Sequence, residues 1–334
     1  MTLDLGSIRQ IGIFRALQLG DLLCAIPAIR ALRIACPQAQ ITLIGLPWAE
    51  TFAKRYDRYF DSFLHFPGYP GLPEQEFDEG RYAKFLHNVR ETEFDLLLQM
   101  QGNGTVVNDL LNTWNARIVA GFFNEQCRTN SALFMEYPNR ISEIHRHLLL
   151  MRHLGVAWID DFLEFNVKPE DEREFATLGI RHMYRSPYVC VHPGSRGSWR
   201  QWPAELFARI ADACAEAGFK VVITGTASEA NVTTAVKEKM KYPAINLTGM
   251  TTLGSMGLLL RNSKLLISNC TGVSHLAAAT HTPSVIISMD GEPERWAPLN
   301  SDLHQMIDCR NDYRFDDVLR SVQEQLVTSV SSRL

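Results

Sequence analysis

Apolar positions along the chain fall into two alternating patterns. Residues 11–14 (IGIF), 41–45 (ITLIG), 96–100 (LLLQM) and 118–122 (IVAGF) are short runs with almost no polar interruption. Such runs predict strands buried on both faces, as in a parallel sheet covered by helices. Longer amphipathic stretches lie between them, one ending near Cys36 and one around residues 81–90. A third, residues 143–154, carries Ile144, Leu148, Met151 and Leu154 at helical spacing. Pro27 is best tolerated in a first helical turn, so the regular helix here is expected to begin near Ile26 or to kink there. After Asn166 the chain turns polar, with prolines at 169 and 187, which predicts a linker with one short helix. The alternation then resumes. Strands are predicted at 188–192, 220–225, 264–269 and 284–288, and helices at 203–217, 229–240, 253–261 and 273–280, with a final amphipathic helix at 316–330. Repeated βα units argue for an α/β fold with parallel sheets. The expected domains are 1–167, 186–312 and a C-terminal helix in 313–334, for which packing back onto the first domain is one option. Two such domains with a cleft between them would take ligands at the carboxyl ends of their strands.

Composition narrows the function. The 334 residues suit two domains, and 46% hydrophobic content supports a sizeable core. Lys plus Arg total 33 against 37 Asp plus Glu, a net charge of −4. Neither half is basic, so a nucleic-acid partner is not expected. No apolar run is long enough to cross a membrane, and the first residues lack a basic segment followed by an apolar one. The seven cysteines are scattered and form no CxxC pair. That usage fits reduced thiols and a cytoplasmic location, rather than disulfides or a zinc site.

Chemistry is expected at four strand-to-helix junctions. In RALQLGDLLCAIPAIRALR, Asp21 can act as a general base or simply cap a helical turn. In HPGSRGSWRQWP, Gly194, Ser195, Gly197 and Ser198 leave amides and hydroxyls open to a phosphate, with Arg196 and Arg200 as cations. A mobile surface loop with solvated arginines is the competing reading. In TGTASE, Glu229 can accept from ribose hydroxyls or serve as a first-turn acid. In SNCTGVSHLAAAT, Thr271 and Gly272 sit at the amino end of a small-residue helix, where free N–H groups and a partial positive charge suit a diphosphate. His275, one turn in, is either a donor to the same ligand or structural. The glycines of GNG at 102–104 are a weak signal. His145, Arg146 and His147 read as polar, solvated neighbours on a core helix. No GxSxG, HExxH, Walker A loop, Asp-x-Asp or GxGxxG is present.

Taken together and in this order, these segments resemble glycosyltransferase family 9, the bacterial heptosyltransferases of lipopolysaccharide core synthesis. The resemblance runs from about Ile11 to Pro298. It rests on LGDLLCAIPAIRALR, FDLLLQMQGN, HPGSRGSWRQWP, TGTASE, NLTGMTTL and SNCTGVSHLAAATHTPSV, with Arg295, Trp296 and Pro298 as a closing motif. It implies a GT-B architecture, two Rossmann-like domains facing across a cleft, the first for the acceptor and the second for a nucleotide-sugar. It also implies an inverting, metal-independent transfer with no cofactor. Asp21 would be the base. Ser195 and Arg200 would contact the donor phosphates, Glu229 the ribose, Met250 the base, and Thr271, Gly272 and His275 the diphosphate end. One position departs from the family. Where the family carries Asp-Thr-Gly, this chain has Cys270-Thr271-Gly272, and Val273 replaces the commoner Pro. Cys270 is still a candidate donor contact, but a neutral thiol is a poor acceptor.

The expected reaction moves a heptose or related sugar from a nucleotide diphosphate donor, with ADP-heptose implied, to a hydroxyl of a lipopolysaccharide core or other glycan. The expected partners are that donor and a glycan or glycolipid acceptor, with at most peripheral contact at the inner face of the inner membrane. Cys270 keeps open a nucleotide-sugar-binding protein with weak or lost catalysis. A GT-B sugar-nucleotide epimerase is the other alternative, distinguished by turnover of donor without acceptor.

Overall fold

The computed structural model describes residues 3–127, 129, 131–180 and 186–331, with side chains of the last helix described as far as Val327. The chain divides into two compact units, Met1–Asp161 and Phe162–Leu334.

The first unit contains β1 (Gln10–Phe14), α1 (Leu19–Ala35), β2 (Gln40–Gly45), α2 (Ala49–Arg55), β3 (Ser62–His65), α3 (Glu79–Glu91), β4 (Leu96–Gln99), α4 (Val107–Asn112), β5 (Ile118–Phe123), β6 (Phe134–Glu136) and α5 (Glu143–His153). Its strands are all parallel, in the order β3-β2-β1-β4-β5-β6. Helix α1 does not begin at Ile26 as the proline suggests. It begins at Leu19 and runs through Pro27, because nearly every residue from Gly20 to Leu32 is buried. Burial of this whole helix outweighs the local cost of Pro27, about 3 kcal/mol in a helix interior. On one face of the sheet, Phe14, Phe66, Phe85 and Trp114 meet edge-on, with ring centroids 4.9–5.6 Å apart.

The second unit contains α6 (Pro169–Thr177), β7 (Tyr188–His192), α7 (Ala204–Glu216), β8 (Lys220–Ile223), α8 (Ala230–Lys239), β9 (Ala244–Asn246), α9 (Leu253–Asn262), β10 (Leu265–Asn269), α10 (Gly272–Ala279), β11 (Ser284–Ser288), α11 (Pro293–Trp296), β12 (His304–Asp308) and α12 (Phe315–Ser331). Its parallel sheet, β12-β11-β10-β7-β8-β9, repeats the winding of the first. Each sheet reverses strand order beside its own first strand, between β1 and β4 and between β7 and β10. Doubly wound sheets bind ligands at the carboxyl ends of the strands flanking such a point.

The boundary moves from residue 167 to 161, because the segment after Asp161 packs on α9. A Cβ at Gly257 would lie 2.2 Å from the Phe165 ring. The short helix expected in the polar stretch is α6, and it packs on α9, so this stretch is largely part of the second unit; residues 181–185 of it lie outside the described residues. Helix α12 inserts Val318, Val322 and Leu326 into the core of the second unit, with Val189, Ile267 and Ile287. Residues 332–334 of the predicted tail also lie outside the described residues.

Candidate active site

In the first unit, Arg15 follows β1 and is wholly buried, yet every described contact it makes is polar. Its Nε donates to the backbone oxygen of Asp21 at 2.8 Å, and its Nη2 to Glu143 Oε1 at 3.0 Å. Nη1 donates to the Met100 carbonyl, and Nη2 lies 3.7 Å from Asp21 Oδ1. Glu143, at the start of α5, also takes a bond from Arg146, whose Nε donates to the Pro138 carbonyl at 3.1 Å. Arg146 lies over the Tyr137 ring, 4.3 Å from its centroid. Burial, reinforced by the nearby Arg15 charge, holds His147 down to about 4, so this imidazole is neutral. Arg146 and His147 are therefore not solvated neighbours of a core helix, as the sequence suggested. They are buried around Glu143, whose carboxylate sits where α5 meets the ends of β1 and β4.

These contacts fix the start of α1, and with it Asp21. The Asp21 Oδ2 accepts from the Gln18 amide at 3.3 Å, so the capping reading holds, while the side chain keeps 21% exposure. Capping orients the carboxylate without hiding it. The Gln101 Oε1 accepts from the Ala16 amide at 2.6 Å, which ties the loop after β4 to the loop after β1. Gly104 belongs to this packing as well: at φ +92, a Cβ there would meet Asn108 and the Phe122 carbonyl at 2.4 and 2.5 Å.

In the second unit, the buried Asn269 at the end of β10 joins two of the predicted loops. Its Nδ2 donates to the Pro193 carbonyl at 2.7 Å, and its Oδ1 accepts from the Trp202 amide at 2.9 Å. The loop carrying Ser195 and Arg200 is thereby held against the Cys270-Thr271-Gly272 turn. It is not a loose surface loop. Ser195 is buried, and its Oγ has no hydrogen-bond partner among the described residues. Arg200 donates through Nη2 to the Cys270 carbonyl at 3.3 Å and to the Asp290 carboxylate. Burial pushes the Cys270 thiol up to about 12. It is therefore neutral and does not replace a carboxylate.

Glu229 lies across the Ser195 loop. Its Oε2 accepts from the Thr226 amide at 2.7 Å and from Thr226 Oγ1 at 2.9 Å, so it caps its own turn as the simpler reading held. It also approaches Gly194 closely enough that a Cβ there would lie 2.2 Å from the carboxyl carbon. His192 donates to or accepts from Thr224 Oγ1 at 3.0 Å, and burial lowers its proton affinity. The Gly249 amide donates to the Gly225 carbonyl at 2.8 Å, which brings the turn bearing Met250 beside the Glu229 turn. Met250 is 56% exposed. Thr271 occupies the position before α10 without capping it by its side chain, and Gly272 opens that helix. His275 is buried, its ring against Trp296 at 6.0 Å between centroids.

Ser195, Arg200, Glu229, Met250, Thr271 and Cys270 thus lie on loops at the carboxyl edge of the second sheet, with Gly272 at the start of α10 beside them. Asp21 lies at the corresponding edge of the first. Sequence reasoning missed Arg15, Glu143, Asn269 and Asp290. Their signal was weak, since a polar residue at a strand end, in a turn or at a helix start reads as solvated until its partners are known.

The sequence model of glycosyltransferase family 9 (heptosyltransferase) matches residues 82–318. The chain belongs to this family. As a family 9 glycosyltransferase it is similar to lipopolysaccharide heptosyltransferase 2 of Escherichia coli K12, at 22% identity over 84% of the chain and 83% of the relative. It is also similar to an E. coli lipopolysaccharide heptosyltransferase 3, at 28% identity over 88% of the chain and 87% of the relative. Its fold matches the family 9 glycosyl transferase of Veillonella parvula with a TM-score of 0.79 at 18% identity, covering 99% and 98% of the two chains. It matches E. coli ADP-heptose heptosyltransferase II with a TM-score of 0.74 at 18% identity, covering 96% and 99%. The family 9 fold is thus the expected GT-B type, with two parallel six-stranded sheets. Among the described residues, no helix is long and apolar enough to cross a membrane.

Proposed function

We propose that this glycosyltransferase moves a heptose from ADP-heptose to a hydroxyl of a lipopolysaccharide core acceptor, inverting the anomeric carbon without a metal. The donor and acceptor follow the names of the relatives, among them a solved E. coli heptosyltransferase bound to ADP-2-deoxy-2-fluoro heptose. The observation that carries the reading is the grouping at the second sheet's switch point: Arg200, the Ser195 hydroxyl with no partner among the described residues, the start of α10 without a side-chain cap and the Glu229 carboxylate.

Each part has a task. Amides at the start of α10 and the Arg200 guanidinium stabilise the charge that gathers on the leaving diphosphate. A buried hydroxyl without a partner costs about 1–3 kcal/mol, which a phosphate oxygen accepting from Ser195 would remove. Glu229 takes ribose hydroxyls, and Met250 offers an apolar surface to the base. Asp21 accepts the acceptor's hydroxyl proton as the oxygen bonds to the anomeric carbon and the bond to the diphosphate oxygen breaks. General-base help of this kind is worth about 10²–10⁴ in rate. The first unit takes the acceptor and the second the donor.

Asp21→Asn tests the assignment. Transfer, followed by mass of the acceptor, is expected to fall at least 100-fold while affinity for ADP-heptose stays within about threefold. Transfer surviving within a few-fold removes Asp21 from the chemistry. Transfer unchanged by EDTA is expected, and loss restored by one divalent metal would overturn the metal-independent part. Turnover of donor without acceptor would favour an epimerase, and donor binding with neither transfer nor hydrolysis a binding protein.

A further inference from the structure

The second unit holds a carboxylate that the four predicted junctions leave out. Asp290 lies two residues beyond β11, in a turn whose next residue, Gly291, has φ +82 and leaves no room for a Cβ beside Arg310. Its side chain is 6% exposed. Its two oxygens are divided between different tasks. Oδ1 accepts from Ser288 Oγ at 2.9 Å and from the Glu292 amide at 3.4 Å, which anchors the carboxylate to its own turn. Oδ2 accepts from Arg200 Nη2. Strands β10 and β11 run in parallel register with Asn269 opposite Ile287, and the Cys270 amide donates to the Ile287 carbonyl at 2.8 Å. The turn carrying Asp290 therefore emerges beside position 270, and the same guanidinium nitrogen bonds both Asp290 and the Cys270 carbonyl.

We propose that Asp290 is a positioning residue that holds the Arg200 guanidinium toward the donor diphosphate, from the turn beside position 270, whose thiol carries no charge. The proposal rests on the donor reading above. A fixed guanidinium meets charge as it develops without first having to reorient. That advantage has an opposing cost, because the Asp290 charge partly cancels the attraction of Arg200 for a bound anion. The two effects separate in kinetics. Removing the carboxylate frees the fork and slows transfer, while ground-state affinity for a diphosphate is kept or improved.

Three proteins decide it: the wild type, Asp290→Asn, and the double variant Cys270→Asp/Asp290→Asn. Modification of Arg200 by phenylglyoxal, read by mass spectrometry, is expected to run at least fivefold faster in Asp290→Asn and to return toward the wild-type rate in the double variant. The dissociation constant for ADP is expected to stay within threefold in all three. The kcat for transfer from ADP-heptose is expected to fall about tenfold or more in Asp290→Asn and to recover to within threefold of wild type in the double variant. An unchanged modification rate in Asp290→Asn overturns the proposal. So does a fall in kcat matched by an equal loss of ADP affinity or of urea resistance, or a double variant no better than the single. A wild type that transfers no heptose sinks the donor reading instead, and the Arg200 modification rates still decide whether Asp290 holds the guanidinium.

Discussion

Gly194 shows how a single missing side chain serves the site. The Glu229 carboxylate occupies the space a Cβ would need, 2.2 Å away. The atoms in the way are the far end of a flexible side chain, so an added methyl can push them aside at little cost to the fold. Under the role proposed for Glu229 the cost falls on donor binding, because the displaced carboxylate loses the Thr226 amide and hydroxyl that aim it. Gly194→Ala is expected to weaken ADP binding about tenfold, near 1.4 kcal/mol, with a nearly unchanged urea midpoint. Titration calorimetry and urea unfolding check the two halves of that statement. Asp21 and Glu229 were visible in the sequence, each with two readings left open. In both, the structure shows the capping contact, and capping leaves the carboxylate oriented at the sheet edge. Arg15 was not visible. Its need for Glu143, 128 residues on, is a tertiary fact that local spacing cannot carry.

Among the elements, the central strands were legible and the outer ones were not. β1, β2, β4, β5, β7, β8, β10 and β11 carry the largely apolar runs that double-sided burial demands. β3, β6, β9 and β12 lie toward the sheet margins, are half-buried, and mix polar with apolar residues, so their pattern is diluted. Helix α12 was legible as a helix, but not in its placement, since an apolar stripe says that a helix is covered without saying by what. Val322 is buried in that stripe against the second core. Val322→Asp places a carboxylate there with no partner of opposite charge among its core neighbours, and is expected to destabilise the second unit by about 3 kcal/mol or more. Loss of ADP binding and a lowered urea midpoint, read by tryptophan fluorescence, check it.

Across the whole molecule, both units carry a buried neutral histidine. His147 in the first is held down to about 4 by burial and by Arg15, and His304 in the second is held down to about 4 by burial and by His281. An unfolded histidine takes its proton near pH 6.5, so between about pH 6.5 and 4 the unfolded chain binds protons that the native chain does not. Stability is therefore expected to be flat between about pH 7 and 8 and to fall as the pH drops through that window, by on the order of 3 kcal/mol per group at the lower end. Urea midpoints at pH 7.5, 6 and 5 measure it. His304→Gln is expected to flatten the slope of the second unit, and an unchanged slope would count against a neutral His304.

The repeated winding order has a consequence for how such a chain can diversify. Each sheet presents its candidate site residues at its own carboxyl edge, Asp21 in the first turn of α1 for one and Arg200 and Glu229 in the turns after β7 and β8 for the other. Under the proposed roles, alterations after β1 and β4 would retune which alcohol is accepted, and those after β7, β8, β10 and β11 would retune which activated sugar is spent. A lineage could then try new glycan architectures half a protein at a time, keeping one trusted half while the other explores.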